Sequence, residues 1–407
     1  MRSRFPRLRG TLTSAILAAA LGCDHQSDSP TAPEPDRPAL ATAATGLVFQ
    51  QLSGGYDHTC GVTADQRAYC WGYNGLGQLG DGTTTQRLTP VPVAGDLRFR
   101  QISAGSFVTC GVTTSDRVYC WGSNEIGQLG DGTTTRRLTP VRVAGSRYYR
   151  QVETNASHTC AVTPERRAFC WGDNRRGALG NGNNTGPEVG RYGAFSSRPV
   201  AVVGSHAFRQ VTAGFDHTCG VTTGDDAYCW GSNARGQLGD STEVRRRTSP
   251  VRVAGGRAYR QLDAGNDFTC GVTLGDRAFC WGNGRQGQLG NGKLYYSFWP
   301  RAVAGGLRFT RVTGSYVHAC AEARSDQVYC WGTNYVGQLG DGTTTTSLKP
   351  VAVAGGLLFA QVSAGFAHNC GRTAEGAGYC WGLNSNGQLG NGTTQLSTMP
   401  VPVGGGT

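Results

Sequence analysis

Fourteen of the fifteen cysteines stand in pairs ten residues apart. They are Cys60 with Cys70, Cys110 with Cys120, Cys160 with Cys170, Cys219 with Cys229, Cys270 with Cys280, Cys320 with Cys330, and Cys370 with Cys380. Paired thiols either oxidise to a disulfide or hold a metal. The spacing argues against zinc, whose structural sites take cysteines two to four residues apart. Five histidines (His58, His158, His217, His318 and His368) precede a pair by two residues, but Val108 and Phe268 fill that slot in the other two copies. A histidine that valine or phenylalanine can replace is a packing or turn residue, so no metal is expected.

A second series, Asp81, Asp131, Asn181, Asn291, Asp341 and Asn391, could be read as a set of carboxylates or calcium ligands. Asp and Asn exchange freely there and glycine follows each, which is what a tight turn needs. No Gly-x-Ser-x-Gly, His-Glu-x-x-His or phosphate-binding loop occurs. No catalytic residue or cofactor is therefore expected, and the chain reads as a non-enzyme. The alternative is an envelope enzyme, a hydrolase or lyase, whose active site is assembled across several blades.

The elements that position these residues recur. Aligned on their cysteines, the seven copies are spaced by 50, 50, 59, 51, 50 and 50 residues. Short alternating runs between Gly, Asn and Asp clusters predict strands and turns with nothing helical. In the second copy the strands fall near 101–104, 109–113, 117–122 and 140–143. Four-strand units at this period predict an all-β fold, a seven-bladed β-propeller with one four-stranded blade per repeat of ~50 residues. A three-residue loop centred on Ser115 would set Cys110 opposite Cys120, close enough for a disulfide. Each of the seven bridges should stabilise the fold by at most about 2–3 kcal/mol. Alternation puts Cys110, Val112, Val118 and Cys120 on one face and Tyr119 and Trp121 on the other. The short link from each fourth strand to the next first strand predicts that these two pair, so that each blade straddles two repeats. Residues 401–403 would then close the ring against residues near 48–52.

The ends carry other information. Residues 1–22 read as an export signal of lipoprotein type: Arg2, Arg4, Arg7 and Arg9, an apolar run over 12–21, and Gly22 before Cys23. Cys23 is the odd cysteine and the expected lipid attachment site. Residues 23–44, rich in Pro, Ala and acid, read as a disordered tether, and 45–407 as the propeller. Evenly paired cysteines in an exported chain are disulfides. The expected location is the cell envelope, as a membrane-anchored lipoprotein, or outside the cell. The formal charge of +11 falls to +7 without the four signal arginines. The remaining arginines are spread over every repeat rather than gathered in a stripe, so no nucleic-acid partner is expected. The only membrane contact expected is through the N-terminal lipid, and the chain should be monomeric.

The strings His58-Thr-Cys-Gly-Val-Thr63, Tyr69-Cys-Trp-Gly72, Asn74, Gly77-Gln-Leu-Gly80 and Pro90-Val91 resemble the regulator of chromosome condensation repeat. The resemblance covers 47–403 and implies seven blades. The cysteine-paired form is similar to the exported bacterial branch of that family. It departs most in the third repeat, where Thr154 and Asn155 replace Ala-Gly, Ala178 replaces glutamine and nine residues are added. Gly284 in repeat 5 stands in an asparagine slot, and Ser315 in repeat 6 in a glycine slot. Family roles range from guanine-nucleotide exchange to binding platforms, and fold does not choose among them. Export argues against the exchange role, whose partner and nucleotide are intracellular.

A binding scaffold for a protein or glycan is the expected function, with its site where the repeat is broken. The third-to-fourth-strand loops of three consecutive repeats differ from the rest. They carry Tyr192 and Phe195, then Arg245, Arg246 and Arg247, then Tyr295, Tyr296 and Trp299. Exposed Tyr, Trp and Arg are the types enriched at interface hot spots.

Overall fold

The computed structural model describes residues 46–404. The expected signal at 1–22, Cys23 and the tether to residue 44 lie outside them. Within them are seven antiparallel sheets, and all elements are strands. Blade 2 is typical: Phe99–Ala104, Val108–Thr113, Val118–Gly122 and Arg137–Arg142, hydrogen-bonded in chain order. The seven-bladed propeller of four-stranded blades is therefore the fold.

The register differs from expectation in one respect. Each fourth strand pairs with the third strand of its own repeat, not with the next first strand. Accordingly Ser397–Pro402 pairs with Gly378–Gly382 of blade 7 and does not join blade 1. The physical reason lies in the short link, residues 93–98 in the first case. It turns the chain to start a new blade, and Phe99 N–H bonds the carbonyl of Gln66 across the blade boundary.

The hairpins form as the spacing requires. Thr113 N–H bonds Arg117 C=O and Asp116 is left-handed (φ 59°), which defines the three-residue loop around Ser115. Each cysteine then faces its partner in register, as Cys110 faces Cys120. All seven expected disulfides are present. Cys60 is bonded to Cys70, Cys110 to Cys120, Cys160 to Cys170 and Cys219 to Cys229. Cys270 is bonded to Cys280, Cys320 to Cys330 and Cys370 to Cys380. Their Cα atoms lie 4.0–4.1 Å apart throughout, so one hairpin geometry serves every blade.

There is no single core. Seven apolar clusters lie between blades, one per interface, each pairing the disulfide face of one blade with the tryptophan of the next. The ring closes in the same way, with Phe49, Leu52 and Trp71 against Cys370, Cys380, Leu389 and Val403.

The Gly-Gln-Leu-Gly string serves this interface. The carbonyl of Gln128 accepts from Trp171 Nε1 (3.0 Å) and Thr159 Oγ1 (2.9 Å) of the next blade. Gly130 (φ 70°) lies flat on that indole, and a Cβ there would stand 2.6 Å from Trp171 Nε1.

The histidines belong to the same seam. His58 Nε2 lies 2.8 Å from Thr109 Oγ1 of the next blade, and that hydroxyl donates to the Gln78 carbonyl. His158, His217 and His368 repeat the contact with Thr218, Thr269 and Thr59. Each hydroxyl donates its proton to a carbonyl, so the ring Nε2 must be the N–H donor to it, and the buried Nδ1 has no hydrogen-bond partner. Burial drives the imidazole proton affinity down, to about 3 at His58, His217 and His368 and about 4 at His158 and His318.

The irregular repeats are compensated through this seam. Val108 cannot bond Thr159, and Thr154 does so instead at 2.8 Å, which explains its presence in the alanine slot. Ser315, in a glycine slot, reaches His318 Nδ1 at 2.8 Å. Phe268 replaces a histidine where Ala319 replaces the facing threonine, and both are buried in one cluster. Phe268→His alone should bury an unpaired imidazole and cost about 1–3 kcal/mol. Adding Ala319→Thr should recover much of that in urea unfolding. Equal losses in the single and double variants would refute the pairing.

Candidate functional site

Strand direction alternates within each blade, so first-to-second and third-to-fourth connections emerge on one face of the ring. Around the channel on that face, one slot at the end of the innermost strand is aromatic in four blades: Tyr56, Phe215, Tyr316 and Phe366. Tyr56 stacks on Phe366 at 4.0 Å, and Tyr316 meets Phe366 at 4.9 Å and Phe215 at 5.9 Å. Sequence reasoning missed this cluster, although an aromatic two residues before the histidine slot in four copies was a readable signal.

From Phe215 and Tyr316 a cleft of about 610 Å³ runs outward over blades 3 to 5, lined also by Arg176, Asp216, Arg235, Arg245, Arg246 and Asp267. Arg235 pairs with Asp267. Asp216 has its proton affinity raised by burial and by Asp173, against the pull of Arg176 and Arg175. The cleft thus offers guanidinium groups beside half-buried aromatic rings. That combination suits carboxylates and planar groups on a partner.

The residues expected at the site are divided by the fold. Arg245 and Arg246 are exposed and line the cleft. Arg247 is tied to Asp240 at 3.0 Å, as Arg87 and Arg137 are tied to Asp81 and Asp131, and holds its own loop. The insertion in repeat 3 forms a hairpin, Glu188–Gly190 against Gly193–Ala201, which adds a fifth strand to the outer edge of blade 3. Tyr192 lies exposed at its turn, whereas Phe195 is only 6% exposed beneath it and presents no surface to a partner. Tyr295 is 40% and Trp299 47% exposed. Tyr296 is half-buried with the Arg285 guanidinium 4.5 Å from its ring centre. Tyr335 of blade 6, 76% exposed and single in its slot, was also missed.

The blade 5 loop has a local cause. In other blades an asparagine organises the loop: Asn74 Nδ2 donates to Asp81 and to the carbonyls of Thr83 and Thr85. Gly284 removes that side chain, and the Tyr295 carbonyl moves into its place, 2.4 Å from where a Cβ would stand. The Asp-Gly pairs are turn-formers: Asp81 accepts from Thr83 N–H and from Arg87, which, against burial, holds its carboxyl below the usual range.

Within the channel, the slot Ser53, Ser103, Glu153, Thr212, Asp263, Thr313 and Ser363 forms one ring. Most of these side chains accept the N–H of the next blade, as Ser103 does from Thr154 and Asp263 from Gly314. Burial, then Asp263, pushes Glu153 up to about 7. Among the described residues, no three His, Cys, Asp or Glu side chains are grouped to hold a metal ion.

Residues 65–112, 115–162, 167–221, 225–272, 276–321, 325–371 and 375–406 match the regulator of chromosome condensation (RCC1) repeat. A second description of that repeat matches six segments from 49–78 to 359–388. Human WBSCR16 superposes with a TM-score of 0.71 at 21% identity, over 80% of this chain and 86% of that one. Prp20p from Saccharomyces cerevisiae superposes at 0.72 with 17% identity, over 88% and 87%. At such identities the likeness is one of fold. The probable E3 ubiquitin-protein ligase HERC4 of Homo sapiens is 35% identical over 83 residues, 20% of this chain but 8% of that protein. The ultraviolet-B receptor UVR8 of Arabidopsis thaliana is 35% identical over 86 residues, 21% of this chain and 19% of its own length. With repeat matches running almost the whole length of the ring, the chain belongs to the regulator of chromosome condensation (RCC1) repeat family.

Proposed function

We propose that this protein is an exported, lipid-anchored scaffold that holds a protein or glycan partner on the loop face of blades 3 to 5. The observation that carries the reading is the 610 Å³ cleft, where Arg245 and Arg246 converge with Phe215 and Tyr316. Exposed Tyr295 and Trp299 stand on the neighbouring blade. With Arg235 paired to Asp267, Arg176, Arg245 and Arg246 still outnumber Asp216 in the cleft, which favours an acidic protein segment over a neutral glycan. Seven disulfides support an oxidising compartment. The test is a quantitative crosslinking pull-down from envelope extract. The Arg245→Glu/Arg246→Glu and Tyr295→Ala/Trp299→Ala variants should each retain the wild-type melting temperature and lose the partner roughly 30-fold or more, the scale of one hot spot. Recovery of every wild-type partner by both folded variants would refute the assignment, and partners sensitive to glycosidase would identify a glycan.

A further inference from the structure

On the opposite face, each innermost strand begins beside the hairpin turn of its own blade. Four consecutive blades place an arginine at that start: Arg100, Arg150, Arg209 and Arg260. In blades 2, 4 and 5 the facing turn residue is a left-handed aspartate (φ 59°, 64° and 60° at Asp116, Asp225 and Asp276). The ion pairs close at 2.8, 2.9 and 2.7 Å. Blade 1 has the neutral Gln50 and Gln66 in these slots.

Blade 3 breaks the rule. Its turn residue is Arg166, left-handed at φ 66°, so the slot that holds aspartate in the other three blades here holds a second guanidinium, whose charge acts on Arg150. Aspartate and asparagine tolerate that conformation better than arginine does, so turn chemistry does not explain the choice. Burial first, then Arg166 and Arg100, lowers the proton affinity of Arg150. Asp116 is bound to Arg100, and Glu165 is held by the Thr163 hydroxyl and its own backbone amide. Neither Arg150 nor Arg166 pairs with a carboxylate among the described residues.

Arg150 opens on a depression of about 640 Å³ at the channel mouth, to which Arg311 and Arg372 also contribute. Glu153 is the acid among its lining residues, and it accepts from Gln101 and Ser103, both at 3.2 Å, within the wall. We propose that Arg150 and Arg166 form a site for a phosphate-bearing anion whose further negative charge lies over this mouth. Two planar guanidinium forks can each take a phosphate bidentately, and the bound charge removes their mutual repulsion.

The full chain is titrated with inorganic tripolyphosphate by calorimetry. Wild type should bind. Arg166→Asp, which installs the ion pair of blades 2, 4 and 5, should melt no lower than wild type and bind roughly tenfold or more weakly. Arg150→Gln, the residue of blade 1, should bind as weakly. Absence of wild-type binding, or equal affinity in all three proteins, overturns the site. Soluble dihexanoylphosphatidylglycerol separates the sources of phosphate. Binding as tight as tripolyphosphate, lost in Arg166→Asp, assigns a lipid headgroup, and weaker binding assigns a free polyphosphate. The site lies on the other face from the cleft, so its test is independent of the partner reading.

Discussion

Acidification from pH 7 to pH 5 is expected to lower the urea midpoint of the ring steeply. Five imidazoles are buried at blade seams with proton affinities pushed down to about 3 or 4. An unfolded histidine titrates near 6.5. Below that value the unfolded chain takes up five protons that the folded chain refuses, so this stability is present above pH ~6.5 and lost as pH falls. Buried carboxylates oppose the effect. Glu153, pushed up to about 7, and Asp263 and Glu322, both raised by burial, bind protons more readily in the folded than in the unfolded chain. Their contribution is lost as pH rises, the reverse sign. The five imidazoles set an upper bound of about 7 kcal/mol per pH unit, which the carboxylates reduce. A urea midpoint that stays flat between pH 7 and 5 would show that the imidazoles are not held neutral.

The second large effect is at the indoles. Trp171→Ala removes a fully buried side chain from the blade 2–3 cluster and leaves the Gln128 carbonyl with Thr159 alone. Loss of about 3–5 kcal/mol is expected from the cavity. Blade 7 supplies an internal control. There Asn369 Nδ2 takes the Gln338 carbonyl and Trp381 Nε1 has no partner. Trp381→Phe should therefore cost less than Trp171→Phe, because only the latter loses a hydrogen bond. Equal costs in denaturant titrations would show that the indole bond contributes nothing.

How much of this was legible beforehand differs between scaffold and site. The period and the cysteine register predict the hairpins, because alternation fixes which side chains oppose. Blade membership was misread, because a short link suggests pairing but cannot say whether the chain turns within a sheet or steps to the next. The site was half legible. Breaks in the repeat pointed to loops that border the cleft, yet Phe195 and Arg247 looked like surface residues and proved to hold the hairpin and the loop. Whether an aromatic is exposed depends on what folds over it, and composition does not carry that. The aromatic cluster at the channel was overlooked for the opposite reason: its members sit inside the regular repeat, where attention falls on sameness.

The mode of closure has a consequence for how such a ring came to be. Every hydrogen-bonded strand pair lies within one repeat, and apart from the changes at Val108, Phe268 and Asn369 the seams share one pattern of side-chain contacts, including the seam between blades 7 and 1. A gene segment encoding one repeat is therefore also one finished sheet with one donor edge and one acceptor edge. Copying that segment in frame adds a whole blade and breaks no strand pair, so duplication could explore blade number without a half-built intermediate. The matched residues at Phe268 and Ala319, and at Val108 and Thr154, show that one side of a seam can differ where another residue of the seam differs with it.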